Sequence, residues 1–419
     1  MQLKPQNKII LHIDLNSFFA TAEQQANPFL RGKSMGVGRR GYAGSAILAA
    51  SYPAKWQGIG LSTRLHEAKR IDPSFELASL DPIKYYDLHN RFIAILESFS
   101  PQIEIYSIDE AFLDITNLME CRRDAWEISY EIKHQITLQM GRVITCSIGI
   151  APNKLLAKVA SDHDKPDGIT EIKWGDRLKY LDPLPIQEVW GIGRHVGYKM
   201  NRAGIQTVKQ IREMSDSALY AIIGGYYTRL RLLTNGHNFD PVTPNAKSKP
   251  AQSMQHAHTL EKAIGDKEEL KSLARKMSER LAIRLRRHHQ LSSKGFISFA
   301  YANMGKYDWN FAHWFGDKFI LGDLTDSGEK IYQACVPVID TAELKQDIRR
   351  ITVGLFDLSI PDQLVFKNTS RQKALNTAID KINSRYGSFK IRTADILHQY
   401  AKESELSSAK HNMRFHGNL

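Results

Sequence analysis

Cysteine is scarce in this chain: Cys121, Cys146 and Cys335 are the only three, far apart and without CxxC spacing. That excludes a disulfide framework and a paired-thiol zinc site, and it suits a reducing compartment. Long apolar runs are missing too. The opening MQLKPQNKIILHIDL holds only a short apolar stretch, and no segment approaches the ~18 residues that span a bilayer. The chain therefore reads as a soluble, cytoplasmic protein with no membrane partner. It has no internal repeat and no long low-complexity segment, which sets aside solenoid and disordered classes. Acidic charge is in deficit, with 45 Asp and Glu against 57 Lys and Arg and a formal net charge of +12. Such a surplus suits a polyanion such as a nucleic-acid backbone, although a plain basic surface gives the same count. At 419 residues the chain exceeds one ordinary core and should form about three folding units.

What is present is a patterned series of elements. IILHIDL (9–15) reads as a buried strand ending at Asp14. Tyr85, Leu88, Phe92, Ile95, Leu96 and Phe99 recur at helical spacing, and IEIYSIDEAFLDI (103–115) gives two β-rich pieces about an acidic SIDE step. After a charged, helix-prone stretch, VITCSIGI (143–150) is another strand. The order predicts an α+β layer with helices on one face of an antiparallel sheet. Asn153 should cap a helix beginning NKLLAKVASDH, with Leu155, Leu156, Val159 and Ala160 on one face and a KPDG turn after it. LDPLP (181–185) breaks the chain before a small helical module that runs to about His237. The three prolines and small polar residues of 237–252 have the composition of a linker. From 253 to about 358 a basic helix, ELKSLARKMSERLAIRLRRHH, alternates with strand-like runs such as GFISFAY and RRITVGLFDL, and the remainder is polar and helix-prone.

Three carboxylates, Asp14, Asp109 and Glu110, fall at strand ends or the strand turn. Burying them together is costly, because desolvation and mutual repulsion both disfavour the charged forms. Something cationic should sit among them. Magnesium fits, since it takes hard oxygen ligands in octahedral geometry and is held by a few carboxylates plus substrate phosphates. Spacing alone, however, favours ordinary solvated turn acids.

The wider strings alter that balance. HIDLNSFFATAE (12–23), ILAASYPAKWQGIG (47–60), YSIDEAFLDI (106–115), APNKLLAKVASDHDKPDG (151–168) and VWGIG (189–193) resemble, in order, five motifs of the Y-family DNA polymerases. The likeness is close over roughly the first 240 residues and loose beyond. It is closer to the bacterial DNA polymerase IV and ImpB/MucB/SamB type than to the polymerase V catalytic chain.

The resemblance implies an α+β multidomain fold in the form of a right-hand polymerase with a ferredoxin-like palm. Residues 1–16 and 83–172 would be palm, 17–82 fingers, and 173–238 a helical thumb with a helix-hairpin-helix. Residues 239–252 would be linker, 253–360 an α/β little finger, and 361–419 a tail. It implies that Asp14, Asp109, Glu110 and the carbonyl of Leu15 hold two Mg2+ ions, ~4 Å apart in such sites. Phe19 corresponds to the steric gate that excludes a 2′-hydroxyl, and its neighbour Phe18 is assigned to packing beside the nucleotide. Tyr52, Lys55 and Lys165 correspond to the residues that grip the triphosphate. Where the family more often has arginine this chain has Lys55, which keeps the charge but loses the bidentate fork. Ser45, Ala46 and the glycines of GRRGYAGS correspond to the roof over the templating base.

Gly191, Gly193 and Arg194, within GIGRHVGYKMNRAGI, correspond to the phosphate-gripping hairpin. In the helix at 270–287, Leu273, Met277, Leu281 and Leu285 form an apolar face, and Arg275, Lys276, Arg280, Arg284, Arg286 and Arg287 add charge for DNA or for solvent. Gln363, Leu364 and Phe366 in QLVF resemble a sliding-clamp-binding peptide one residue shorter than the commonest form. DKINSRYG (380–387) resembles the tail of bacterial members and leads to the expectation of a full-length protein.

The implied activity is error-prone, template-directed translesion synthesis without proofreading, by a monomer acting on primer-template DNA and deoxynucleoside triphosphates (dNTPs). The alternatives are an inert polymerase-like DNA-binding scaffold and a palm-domain nucleotidyl cyclase. Retention of all three acids and the gate argues against the scaffold; the duplex-holding modules argue against the cyclase.

Overall fold

The computed structural model describes residues 8–39, 45–119, 124–244, 250–302, 314–360, 370–387 and 390–391. The chain forms two compact units that divide near residue 248.

In the first unit, β1 (Ile10–Leu15) is buried at every position and leads into α1 (Phe18–Ala26). A small insertion follows, in which β2 (Met35–Gly38) pairs antiparallel with β3 (Ala49–Ala50) and parallel with β4 (Glu76–Ser79). Between these strands α2 (Tyr52–Trp56) and α3 (Leu65–Ile71) close a core of Ile47, Ala50, Ala54, Ile59, Ala68 and Phe75. The chain returns through α4 (Pro82–Glu97), which starts with proline at its first position and the Asp81 carboxylate accepting from the Lys84 amide. Then come β5 (Ile103–Ile105), β6 (Glu110–Asp114), the short α5 (Thr116–Met119), α6 (Ala125–Met140), β7 (Cys146–Ala151), α7 (Lys154–His163) and β8 (Ile169–Glu171).

The main sheet has the order β5-β6-β1-β7-β8. Strands β5, β6, β1 and β7 are antiparallel, as in a ferredoxin-like βαββαβ unit, and β8 adds in parallel to β7. The sequence pattern predicted helices on one face only, whereas two faces are covered. Strand alternation sends Ile10, His12 and Asp14 to one side and Leu11, Ile13 and Leu15 to the other. α7 occupies the first side: its Ser161 meets His12, and its Leu155, Leu156 and Ala160 join Ile10 and Phe112 in one core. α4 and α6, which pack together, lie against β5 and β7. Burial of all six β1 residues is the signature of a strand covered on both faces, which an alternating count cannot separate from a half-exposed one.

Gly149 on β7 makes the α7 contact possible. A Cβ there would stand 1.9 Å from the Ala157 carbonyl oxygen and 2.4 Å from the Ser161 amide. Asn153 caps α7 as expected, its side chain accepting from the Leu156 amide at 3.0 Å. Among the described residues, five further helices follow in this unit: α8 (Arg177–Leu181), α9 (Arg194–Arg202), α10 (Val208–Glu213), α11 (Asp216–Ile223) and α12 (Tyr227–Thr234). Their apolar faces share the α7 core through Leu181, Met200, Val208, Ile211, Leu219, Leu230 and Leu233.

The second unit is a four-stranded antiparallel sheet, β11-β10-β12-β9, with strands β9 (Ser253–Ile264), β10 (Ser292–Tyr301), β11 (Trp314–Thr325) and β12 (Ile348–Phe356). Helices α13 (Lys267–Arg287) and α14 (Gly328–Thr341) pack together, and Leu273, Met277, Leu281 and Leu285 meet Ile297, Phe299, Ile351 and Val353 in its core. α15 (Ser370–Tyr386) follows.

The basic residues of α13 do not form the DNA-facing or solvated stripe expected from sequence. Arg275, Lys276 and Arg280 are buried, Arg284 donates to the Gln255 carbonyl, and Arg286 holds Asp380 of α15 through two bonds of 2.6 and 2.9 Å. The physical reason is the helix's cover on more than one side: long cationic stems pack inward and find acceptors of the same unit. Arg287, at the helix end, is exposed.

Candidate active site

The site is built where β1 ends beside the turn between β5 and β6. Asp14 is the register partner of Glu110, and the Leu15 amide donates to the Asp109 carbonyl at 2.9 Å, so backbone pairing alone brings together residues nearly a hundred positions apart. The SIDE turn is closed by the Tyr106 and Ser107 amides, which donate to the Glu110 carbonyl at 3.0 and 3.1 Å. His89 of α4 holds it from outside, 2.8 Å from the Ile108 carbonyl.

Asp14, Asp109 and Glu110 line one cavity of about 410 Å3, together with Leu15, Phe18, Phe19, Tyr52, Lys55 and Lys165. The rest of its wall is Ser17, Leu48, Ala49, Ala50, Leu61 and Ile108. Phe18 is buried, and its ring lies 6.1 Å from Tyr85. Phe19 is half-buried and stacks on Tyr85 with ring centroids 4.4 Å apart. The Tyr85 hydroxyl donates to buried Glu23 at 2.6 Å, and Lys84 pairs with the other Glu23 oxygen at 2.9 Å, so the Phe19 ring rests on an anchored neighbour. Asn16 organises the opposite side. Its amide donates to Ser147 and Tyr52 hydroxyls at 3.0 and 3.4 Å, and its oxygen accepts from Thr145 and from the Asp167 amide in the KPDG turn. Lys55 lies 4.7 Å over the Tyr52 ring.

The electrostatics differ among the three acids. Lys165 donates to Asp14 at 2.7 Å and pairs with Asp162 at 2.6 Å. Lys158 of α7 donates to Glu110 at 2.9 Å, and the buried His12 ring stands 3.6 Å from the same oxygen. Burial pushes Asp14 above the usual carboxylate range, with Lys165 pulling it back. Burial pushes Glu110 the same way, but His12 and Lys158 outweigh it and hold this carboxyl down at about 2. Asp109 has no such help. Burial raises it to about 6 with Asp14 and Glu110 adding to the rise, and the Ser107 hydroxyl, 2.5 Å away, and a backbone hydrogen bond oppose it. Among the described residues Asp109 has no salt-bridge partner. Two lysines sit against the acids, and no group of three His, Cys, Asp or Glu among the described residues is arranged to hold a metal ion in common. The donor set still suits a hard divalent ion: carboxylate oxygens at the edge of an open cavity, with half-buried Asp109 in no salt bridge among the described residues.

Sequence reasoning missed Leu48, Leu61 and Ile108 as wall residues, and Lys158 and His12 as partners of Glu110. Apolar strand and loop residues carry no mark of the side they will face, and a pairing 48 positions apart is invisible to local pattern. Ser45 and Ala46 do not line this cavity; Ser45 accepts from the Arg39 amide and Ala46 bridges to Arg64. Residues 40–44 of the glycine-rich stretch lie outside the described residues.

In the hairpin module, Gly191 has φ +91°, a conformation that side chains resist, and Gly193 is the N-cap of α9 with open space beside it. Arg194 is the first residue of that helix. Gln363, Leu364 and Phe366 lie outside the described residues.

Residues 13–162 match the impB/mucB/samB family, 175–205 its helix-hairpin-helix motif, and 251–375 its C-terminal domain. The chain is 30% identical over 420 residues to DNA polymerase IV 1 of Bacillus subtilis (strain 168), covering 98% of each chain. It is 28% identical to DNA polymerase IV of Desulfatibacillum aliphaticivorans, over 97% of this chain and 99% of that one. In fold it is similar to a solved Y-family DNA polymerase chimera, with a TM-score of 0.71, 24% identity, and coverage of 84% of this chain and 100% of that one. The ferredoxin-like sheet, the cavity at its edge and these matches agree, and the chain belongs to the impB/mucB/samB family, the bacterial DNA polymerase IV type of Y-family DNA polymerases.

Proposed function

We propose that this polymerase adds deoxynucleotides to a primer 3′ end opposite damaged template bases, using two Mg2+ ions held by Asp14, Asp109, Glu110 and the Leu15 carbonyl, and that it removes no mispairs. One observation carries the reading: the three acids, the phosphate-type donors Tyr52, Lys55 and Lys165, and the Phe19 ring all line a single cavity. Held by these residues, a divalent pair would supply Lewis acidity for the attacking 3′ oxygen and the leaving pyrophosphate. The protein's share is positioning and charge. Lys55 and Lys165 neutralise the triphosphate, and the Tyr52 hydroxyl, steadied by Asn16, donates to it. Phe19, braced by Tyr85, fills the space a 2′-hydroxyl needs. Gly191, Gly193 and the start of α9 at Arg194 grip the duplex backbone. Gln363, Leu364 and Phe366 dock on a sliding clamp, and the enzyme works as a cytoplasmic monomer.

Primer extension tests the reading. The wild type should add deoxynucleotides stepwise and leave mispairs in place, and Asp109→Ala should abolish extension while duplex binding persists. A cyclic nucleotide product, or binding without turnover in the wild type, would replace the proposal with a cyclase or a scaffold.

A further inference from the structure

The two lysines that sit on the acids differ in what else they can do. Lys158 holds Glu110 at 2.9 Å and rises from the middle of α7, packed near the Tyr106 ring. Lys165 instead belongs to the KPDG turn and lines the cavity, its ammonium shared between Asp14 at 2.7 Å and Asp162 at 2.6 Å. The turn itself is fixed, since Asn16 accepts from the Asp167 amide at 2.9 Å and Lys133 pairs with the Asp167 carboxylate at 2.6 Å. Lys165 can therefore swing its ammonium while its backbone stays in place, and Asp162 offers it a second carboxylate whenever Asp14 is taken. Lys165 meets the Asp14 carboxylate through Oδ2, and its ammonium there repels a divalent cation approaching either oxygen, so displacing it strengthens cation binding at Asp14.

We propose that Lys165 is an exchangeable counter-ion: without nucleotide it occupies Asp14 and suppresses cation binding there, and an arriving triphosphate draws it away and opens Asp14 to the metal. This rests on the acids being the metal site of the proposed polymerase reaction. By linkage, nucleotide and cation then strengthen each other's binding, and the free enzyme does not hold a full set of ions in advance. The same side chain acts with opposite sign on the two ligands, which a purely structural lysine would not do.

The test is Mn2+ binding to the 419-residue chain without nucleotide or DNA, followed by calorimetry or by the loss of free-ion paramagnetic signal. Lys165→Met should bind Mn2+ about fivefold or more tightly than wild type, while its KM for dNTP rises. Lys165→Arg, which keeps the charge, should retain the wild-type Mn2+ affinity. Unchanged or weaker Mn2+ binding in Lys165→Met, or an equal gain in Lys165→Arg, overturns the inference. Asp109→Asn separates the two levels of the argument. If it removes Mn2+ binding while Lys165→Met fails to raise it, only the counter-ion role falls. If Mn2+ binding survives Asp109→Asn, the metal assignment itself falls.

Discussion

At the residue scale the cavity asks for chemistry that single side chains supply. Phe19 is half-buried against Tyr85, so its ring cannot retreat without displacing a neighbour tied to Glu23. Replacing it with alanine should remove the obstruction, and Phe19→Ala is expected to incorporate ribonucleotides with little loss of deoxynucleotide addition. Unchanged sugar discrimination in single-nucleotide insertion would show that the ring does not stand beneath the sugar. Two thiols should be inert. Burial pushes Cys146 and Cys335 up to about 12, so both remain protonated at pH 8 as well as inaccessible. Alkylation of the native protein at pH 8, read by peptide mass spectrometry, should spare both until denaturant is added. Asp14, Asp109, Glu110, Phe19, Tyr52, Lys55 and Lys165, singled out in short strings, all line the one cavity, because the proposed chemistry demands particular side chains that a string displays. The lysine partners of the acids were not, since Lys158 reaches Glu110 only after α7 has packed over β1.

At the element scale the decisive contact is α7 on β7 and β1. It buries an apolar helix face, carries Lys158 to Glu110, and delivers the chain to the KPDG turn. Gly149 permits it, and the overlap found for a Cβ there involves backbone atoms that cannot rotate aside. Gly149→Ala should therefore destabilise the unit by about 1–3 kcal/mol through overpacking. The denaturant midpoint would fall at unchanged slope, and a midpoint equal to wild type would mean that α7 lifts without cost. Helix starts were readable in advance where a cap does the work, as Asn153 does for α7. The face that α7 covers was not, and neither was the fate of the α13 arginines. Composition marks a helix as basic but is silent on whether its cations meet solvent, phosphate or an acceptor such as Asp380.

At the scale of the whole molecule, a net charge of +12 and a helix-hairpin-helix beside the catalytic block imply binding through the nucleic-acid backbone. Affinity for primer-template duplex should fall by orders of magnitude between about 50 and 200 mM salt and vary little with base sequence. A flat salt response in fluorescence anisotropy would remove the electrostatic reading of the surplus. With most α13 cations engaged inside the second unit, that surplus must act largely from elsewhere on the surface, together with the exposed Arg287 at the end of that helix. By itself, the sequence determined the residue types of the site and the order of elements, because local pattern, caps and motif strings act over a few neighbouring positions. Only the tertiary structure decided that β1 is covered on both faces, that Lys165 and Lys158 neutralise two of the acids, and that Asp109 enters no salt bridge among the described residues. Those outcomes depend on which side chains meet across pairings and packings a hundred residues long, where desolvation and charge are settled by neighbours in space.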